Sequence, residues 1–190
     1  MRAPGYTLIE LVVVLALLAV FAAAALPLSG PAGDKKLDAG VREVANALRF
    51  ARSEALRTGT VYGVDFSVDT AVGYRRIRVF RTDSATPPSP QYDVYHPLDK
   101  KLYDAQLITG PGTTGVLVSA AAFYYRTGLL TVISQEWAAF DGSGTPVYYP
   151  DTAGYSAYSS APNVSAVTVS FQGRSRQIML DPVTGRVTTP

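Results

Sequence analysis

Residues 5–28 read GYTLIELVVVLALLAVFAAAALPL, and Glu10 is the one charged residue among them. The 23 residues from Tyr6 to Leu28 would rise about 34 Å as a helix, at ~1.5 Å per residue. That length matches a hydrocarbon core of roughly 30 Å. A carboxylate at the head of such a helix costs roughly 2.5–3.5 kcal/mol in lipid, which marks it as a functional group that needs a partner. The stretch therefore predicts a membrane-spanning helix over residues 6–28, with Glu10 as its functional residue.

The five residues in front of this helix look like a leader peptide. Residues 1–5, MRAPG, carry one positive charge and end at a small residue. A secretory signal is cut after its apolar stretch, so the stretch is lost. Here the small-residue site precedes the stretch, and cleavage after Gly5 would keep the helix and create a new amino group on Tyr6. The alternative is a plain signal anchor in which Glu10 is incidental.

The residues from Gly5 to Leu15, GYTLIELVVVL, resemble the type IV prepilin cleavage motif, with Tyr6 where that family usually has Phe. The resemblance implies that a prepilin peptidase cuts after Gly5 and methylates the new terminus at Tyr6. It also implies that Glu10 pairs with the terminal amine of a neighbouring pilin or pseudopilin subunit during assembly. The expected location is the bacterial inner membrane, crossed once with the head outside the cytoplasm, and then a pilus or pseudopilus.

The composition restricts what the rest of the chain can do. Its 190 residues, less an anchor of ~30 residues, leave one domain of ordinary size. The absence of cysteine excludes disulfides, thiolate metal sites and thiol nucleophiles. A net charge of +2 gives no global attraction to nucleic acid. With His96 as the single histidine and no carboxylate pair in an acid–base context, we expect no enzyme, no cofactor, no metal and no small-molecule substrate.

A second, amphipathic helix is predicted over residues 34–57. Apolar residues recur there at spacings of three and four and form one stripe: Leu37, Val41, Val44, Leu48, Ala51 and Ala55. Asp34 is the predicted N-cap, and Thr58-Gly59 is the predicted stop. The breaker-rich residues 27–33 are expected to kink or interrupt the helix.

From residue 60 the apolar period changes to two, which predicts antiparallel strands. The predicted strands are 61–66, 74–80, a hairpin of 136–140 with 145–149, and a terminal meander of 164–171, 175–180 and 186–188. Weaker strands are predicted near 102–108 and 115–119. Residues 83–100 are predicted to form a long irregular loop. For residues 120–135 the pattern is compatible with either strand or helix.

Three further motifs extend the resemblance: ARSEA at 51–55, FDGSG at 140–144 and PVTGRV at 182–187. They are similar to the GspH/FimT branch of minor pilins and pseudopilins. The implied fold is α+β and type IV pilin-like, a long N-terminal helix packed on an antiparallel sheet. Its parts would be a leader (1–5), a membrane-spanning helix (6–28), its amphipathic continuation (29–58) and a β head (59–190). The implied role is a minor pilin that takes part in DNA uptake, or alternatively a pseudopilin of a type II secretion system.

Two other candidate sites are better explained as loops. The glycines from Gly110 to Gly115 match the G-x-G-x-x-G spacing of a dinucleotide loop, but such a loop must open a helix. Here an extended segment, 116–118, follows it. His96 lies in the proline-rich loop and is expected to be a surface residue.

Two groups of arginines remain as candidates for binding. Arg174 and Arg176 lie near a predicted hairpin turn, where guanidinium groups would meet phosphate oxygens. This Gly-Arg-x-Arg segment resembles an element with which some FimT-like minor pilins bind DNA. Arg186 is assigned to the same patch. The alternative is that these charges protect a strand edge from aggregation. The second group, Arg75, Arg76, Arg78 and Arg81, forms either salt bridges or a ligand site.

Overall fold

The computed structural model describes residues 8–25, 30–83, 88–127, 131–149, 156–157 and 164–189. The chain divides into two compact units, with the boundary between Lys35 and Lys36. Helices and antiparallel sheets make it an α+β protein, as predicted.

The first unit contains helix α1 (Leu8–Ala25). The ends of the predicted helix over 6–28 lie outside the described residues. From Leu8 to Leu18 the large apolar side chains are all exposed, between 51% and 83%. Because they surround the helix on all sides, α1 has no polar face apart from Glu10. Of the helices in the described ranges, none combines the length and the apolar character that a membrane crossing needs.

Helix α2 (Gly30–Thr58) begins four residues before the predicted N-cap. The prediction for Asp34 is wrong, since residues 30–33 already form the first turn. Pro31 is tolerated there because the first N–H groups of a helix have no helical acceptor. The predicted end is confirmed: Gly59 has a φ of 70°, and its N–H donates to the carbonyl oxygen of Ala55 at 2.9 Å.

From Lys36 onward, the predicted stripe of α2 is the helical side of the core of the second unit. All six of its members are buried, with exposures of 0–6%: Leu37, Val41, Val44, Leu48, Ala51 and Ala55. They form one cluster with apolar side chains from the strands, such as Val64, Phe66 and Phe123. The amphipathic pattern therefore predicted the buried face of α2 correctly.

Twelve strands of the described chain form one antiparallel sheet. They are β1 (Tyr62–Asp65), β4 (Ile77–Thr82), β5 (Pro90–Gln91), β6 (Asp104–Ala105), β7 (Leu117–Thr127), β8 (Thr131–Gln135), β9 (Trp137–Phe140), β10 (Pro146–Val147), β11 (Ser156–Ala157), β12 (Ala166–Phe171), β13 (Arg174–Leu180) and β14 (Val187–Thr188). Their main order is β14-β13-β12-β7-β11-β10-β9-β1-β4-β5, with β6 on β4 and β8 on β7. A separate small hairpin joins β2 (Val68–Asp69) to β3 (Tyr74–Arg75).

The predicted hairpins are confirmed. Strand β9 pairs with β10, and β12, β13 and β14 form the terminal meander. Within the open region 120–135, the described residues 120–127 and 131–135 are strand, because β7 pairs with β12 through its first half and with β8 through its second. These described residues are therefore not helical. The long loop 83–100 contains the short edge strand β5 in its described part.

Both faces of the sheet are covered at β4. Val79 joins the core under α2, whereas Phe80 packs with Ala139 and Tyr149 on the opposite face. Gly63 on β1 makes this second layer possible, since a Cβ there would lie 2.4 Å from the Phe80 ring. The aromatic rings of Phe80 and Trp137 meet edge to face at 5.7 Å.

Candidate functional site

The predicted processing residues, Gly5 and Tyr6, lie outside the described residues. Glu10 lies in the first turn of α1 and is exposed. A carboxylate at this end of a helix is stabilised by the helix dipole. The first candidate site is therefore an acidic group at the start of a helix that is otherwise apolar.

Arg174 and Arg176 occupy alternate positions on β13 and share one face of the strand. Arg174 is exposed, and Nε of Arg176 lies 3.1 Å from Oδ1 of Asp38 on α2. Strand β14 pairs with β13 only at Met179 and Leu180. Residues 174–178 are therefore an edge of the sheet within the described chain, a position that suits either DNA contact or protection against aggregation.

Arg186 lies at the other end of β13. The N–H of Asp181, just after the strand, donates to the carbonyl oxygen of Arg186 at 2.9 Å. Asp181 follows Arg176 by five residues, which is about 16 Å of extended chain at ~3.3 Å per residue. The structure thus brings Arg174 and Arg176 together and places Arg186 elsewhere.

The three motifs at 51–55, 140–144 and 182–187 meet at one point. Nε of Arg52 donates to the carbonyl oxygen of Gly144 at 3.1 Å. Gly185, with a φ of 65°, packs against both: a Cβ there would lie 2.5 Å from the Gly144 oxygen and 3.0 Å from Arg52 Nε. Close approach of backbone and guanidinium therefore requires glycine at 185.

An aspartate shapes each of the two turns at this junction. Oδ1 of Asp141 accepts from the N–H of Ser143 at 2.9 Å and from that of Thr145 at 3.0 Å. Oδ1 of Asp181 accepts from the N–H of Thr184 at 2.7 Å. The hydrogen bond from the Thr184 amide, then that from its hydroxyl, lowers the pKa of Asp181, with a smaller contribution from the charge of Arg186.

A cleft of about 420 Å³ opens beside the junction and brings three arginines together. The described residues that line it are Arg49, Arg52, Ser53, Leu56, Gly185, Arg186 and Val187, and none of them is acidic. Nη2 of Arg49 contacts the carbonyl oxygen of Val187 at 3.4 Å. Sequence reasoning missed this group: the helical spacing of Arg49 and Arg52 predicts that they are neighbours, but no local signal adds Arg186.

The arginines from 75 to 81 form ion pairs, which supports the salt-bridge interpretation over a ligand site. Arg75 pairs with Glu136 at 2.6 Å, Arg76 with Asp69 at 2.8 Å and with Asp104, Arg78 with Asp65 at 2.7 Å, and Arg81 with Asp93 at 2.6 Å. The most buried acid of these pairs is Asp65, at 1% exposure. It also accepts from the Tyr92 hydroxyl at 2.8 Å and from the Ser67 N–H at 2.7 Å.

The glycines of the dinucleotide-like spacing lie in turns, as predicted. The chain continues from Gly115 into buried Val116 and then into β7, so no helix follows the loop. Pyrophosphate would therefore find no helix N-terminus there.

The sequence predicts a surface position for His96, but the residue is half-buried and lines an acidic cleft of about 500 Å³ together with Glu43 and Asp99. Its ring meets Tyr103 edge to face at 4.6 Å, and Nδ1 lies 3.3 Å from Oδ1 of Asp99. Burial, followed by the charge of Glu43, raises the pKa of Tyr103. Within the described residues, no group of three or more His, Asp or Glu side chains is arranged to hold a metal ion.

Comparison with known proteins identifies a family motif in one segment of the chain. A family profile described as the prokaryotic N-terminal methylation motif matches residues 1–26. No curated protein and no solved structure matches the chain significantly. The motif implies processing by a peptidase and assembly with other pilin subunits, and it indicates a membrane-anchored or pilus location. Over residues 1–26 the chain thus carries the N-terminal methylation motif that is typical of type IV prepilin-like proteins.

Proposed function

We propose that the chain is a minor pilin or pseudopilin, cut by prepilin peptidase after Gly5 and assembled through α1 into a pilus or pseudopilus. The observation that carries this proposal is the exposed apolar surface of α1, which surrounds the helix on all sides. A helix of this kind is stable when every face is buried, either in lipid or among other helices. An exposed apolar surface of this extent marks an interaction site. The proposed role is structural, without enzymatic activity.

Before assembly, residues 6–28 would hold the chain in the inner membrane in a single pass, with the head outside the cytoplasm. This part of the proposal is supported by the length and apolar composition of that segment in the sequence. The single basic residue in front of it, Arg2, agrees with a cytoplasmic leader.

Glu10 gives the assembled helices a defined register. Cleavage would leave a charged amine on Tyr6, and a carboxylate buried among apolar helices is strongly destabilising without a partner. The amine of a neighbouring subunit supplies that partner. Pairing then stabilises one axial offset between subunits relative to all others.

Replacing Glu10 tests this pairing. Glu10→Val should leave membrane insertion intact and strongly reduce the fraction of the protein recovered in sheared filaments. Leu11→Val, a neighbouring apolar change, should assemble like the unmodified chain. Normal incorporation of Glu10→Val would refute the pairing role, and loss of insertion in both variants would show that the helix itself had been damaged.

Capture of DNA by the head is a second candidate function. It is favoured by Arg174 and Arg176, which present two guanidinium groups on one face of an edge strand. Phosphate-driven binding weakens steeply as salt rises. Gel shifts at low and moderate salt should therefore show binding that is reduced in Arg174→Gln/Arg176→Gln. The matched control is Lys100→Gln/Lys101→Gln, which removes two exposed charges in a loop. Equal binding by both double variants would reject this site.

A further inference from the structure

We propose that the cleft between α2 and the β13–β14 turn, formed by Arg49, Arg52 and Arg186, binds a phosphoryl group. This site goes beyond filament assembly, because it lies in the head and uses no residue of α1. It is also separate from the edge patch of Arg174 and Arg176, which lies at the other end of β13.

The three arginines come from two elements that the junction holds together. Arg49 and Arg52 are one helical turn apart on α2, and Arg186 follows Gly185 in the β13–β14 turn. The contact of Arg52 with Gly144 uses Nε, one of the five N–H donors of a guanidinium. The bond to Gly144 does not involve the terminal nitrogens of Arg52, and Arg52 also lines the cleft. Because Arg52 is held by this bond, little ordering is needed when a ligand binds.

The positive charge of the cleft favours the binding of an anion. None of the described lining residues is acidic, so the positive charges are not compensated within the lining. Of the nearby acids, Glu54 pairs with Arg57 at 2.6 Å, whereas Asp181 accepts from the amides of Val183 and Thr184 and also interacts with the charge of Arg186. Three guanidinium groups around one cavity repel one another, and an anion between them removes that repulsion.

A phosphoryl group fits better than a carboxylate. Its two negative charges match the three cations more closely, and its oxygens spread in three directions, whereas a carboxylate is planar. Guanidinium groups bind both anions through paired N–H donors. The cavity of about 420 Å³ falls within the ~300–1,000 Å³ range of ligand sites. Leu56, which is 49% exposed, supplies an apolar wall for the organic part of a phosphate ester.

Calorimetric titration of the full-length chain in non-ionic detergent tests the site, with inorganic phosphate as the probe. We expect saturable binding that Arg49→Gln and Arg186→Gln each weaken by about tenfold or more. Arg42→Gln is the matched control: it removes one exposed charge from the same helix, away from the cleft, and should leave binding unchanged. Arg52 is not substituted, because its bond to Gly144 supports the fold, and thermal unfolding of each variant confirms that it is folded.

Further titrations separate the possible sources and the competing sites. Glycerol 3-phosphate and adenosine 5′-monophosphate should both bind with the same dependence on Arg49, and their relative affinity identifies the natural source as lipid-like or nucleotide-like. Arg174→Gln/Arg176→Gln should bind phosphate normally, even if that double variant loses DNA. The proposal is overturned by absence of saturable phosphate binding, by acetate binding as tightly as phosphate, or by Arg49→Gln behaving like Arg42→Gln.

Discussion

Nε of Arg52 donates a hydrogen bond to the carbonyl oxygen of Gly144, although 92 residues separate the two in the chain. Arg52 is half-buried on α2, and Gly144 lies in the turn between β9 and β10. Gly185 from the last turn of the chain packs across this bond. The helix is therefore joined to two separate turns by polar contacts, in addition to its apolar stripe on the sheet.

Truncating Arg52 should lower the stability of the head. Arg52→Ala removes a charged donor from the carbonyl oxygen of Gly144, a change that costs roughly 1.5–3 kcal/mol in typical cases. Urea unfolding measures the loss. Arg42→Ala on the exposed side of the same helix should change the free energy of unfolding by less than about 0.5 kcal/mol. Equal effects of the two variants would mean that the bond to Gly144 contributes nothing.

Alanine substitutions at Gly185 and Gly73 distinguish the cost of steric conflict from the cost of backbone strain. Both have positive φ, 65° and 77°, but a Cβ at Gly185 would lie 2.5 Å from the Gly144 oxygen, whereas open space surrounds Gly73. Gly73→Ala should cost about 1–2 kcal/mol from strain alone. Gly185→Ala should cost more than Gly73→Ala and should lower the thermal midpoint further. Equal decreases in the two thermal midpoints would show that a Cβ at position 185 causes no steric conflict with the Gly144 oxygen.

The buried carboxylate of Asp65 should matter more than an exposed one. Asp65→Asn leaves Arg78 part-buried without its anion, a situation that typically costs about 3–5 kcal/mol. Asp93→Asn breaks an exposed pair with Arg81, which should cost about 1 kcal/mol or less. Chemical denaturation of both variants gives the comparison directly. A larger loss for Asp93→Asn would contradict the argument that the buried Asp65 stabilises the head more than the exposed Asp93 does.

Asp181 should make the stability of the head sensitive to acid. Hydrogen bonds from Thr184 hold its pKa below the ordinary value of 3.8. Since the folded pKa is lower than the unfolded one, the contribution to stability is present above pH 3.8 and is lost as the pH falls through the folded value. Asp181→Asn should therefore be less stable than the unmodified chain at about pH 7, and the difference should shrink at about pH 2.5. A difference that is constant with pH would show that the charge of Asp181 is irrelevant.

The elements predicted correctly are those whose signal is local. The stripe of α2 repeats within one helix, and each strand of the terminal meander alternates within a few residues of a turn. Residues 120–122, three alanines, have no such signal, and they become strand because β12 pairs with them. Asp34 shows a different limit: a good capping residue predicts a helix start, although Pro31 is equally compatible with a first turn.

The second unit contains two candidate sites. One has a local signal in the sequence, whereas the other depends on contacts between residues that are distant in the chain. Arg174 and Arg176 could be placed on one face, because alternation along a strand is a local property. The cleft was missed because Arg186 reaches α2 only after the whole sheet has formed, and nothing near it in the sequence marks Arg49 as its neighbour. The N-terminal motif was recognised because its residues are contiguous, and the match to residues 1–26 supports that recognition.

Mass spectrometry of the protein purified from its native host tests the proposed processing most directly. We expect a mature chain that starts at a methylated Tyr6, lacks residues 1–5 and retains the apolar segment that contains Glu10. Gly5→Phe should leave the precursor uncut, because the bulky side chain blocks the peptidase. A native product that still begins at Met1, or one that has lost the apolar segment, would contradict maturation after Gly5 and assembly through α1.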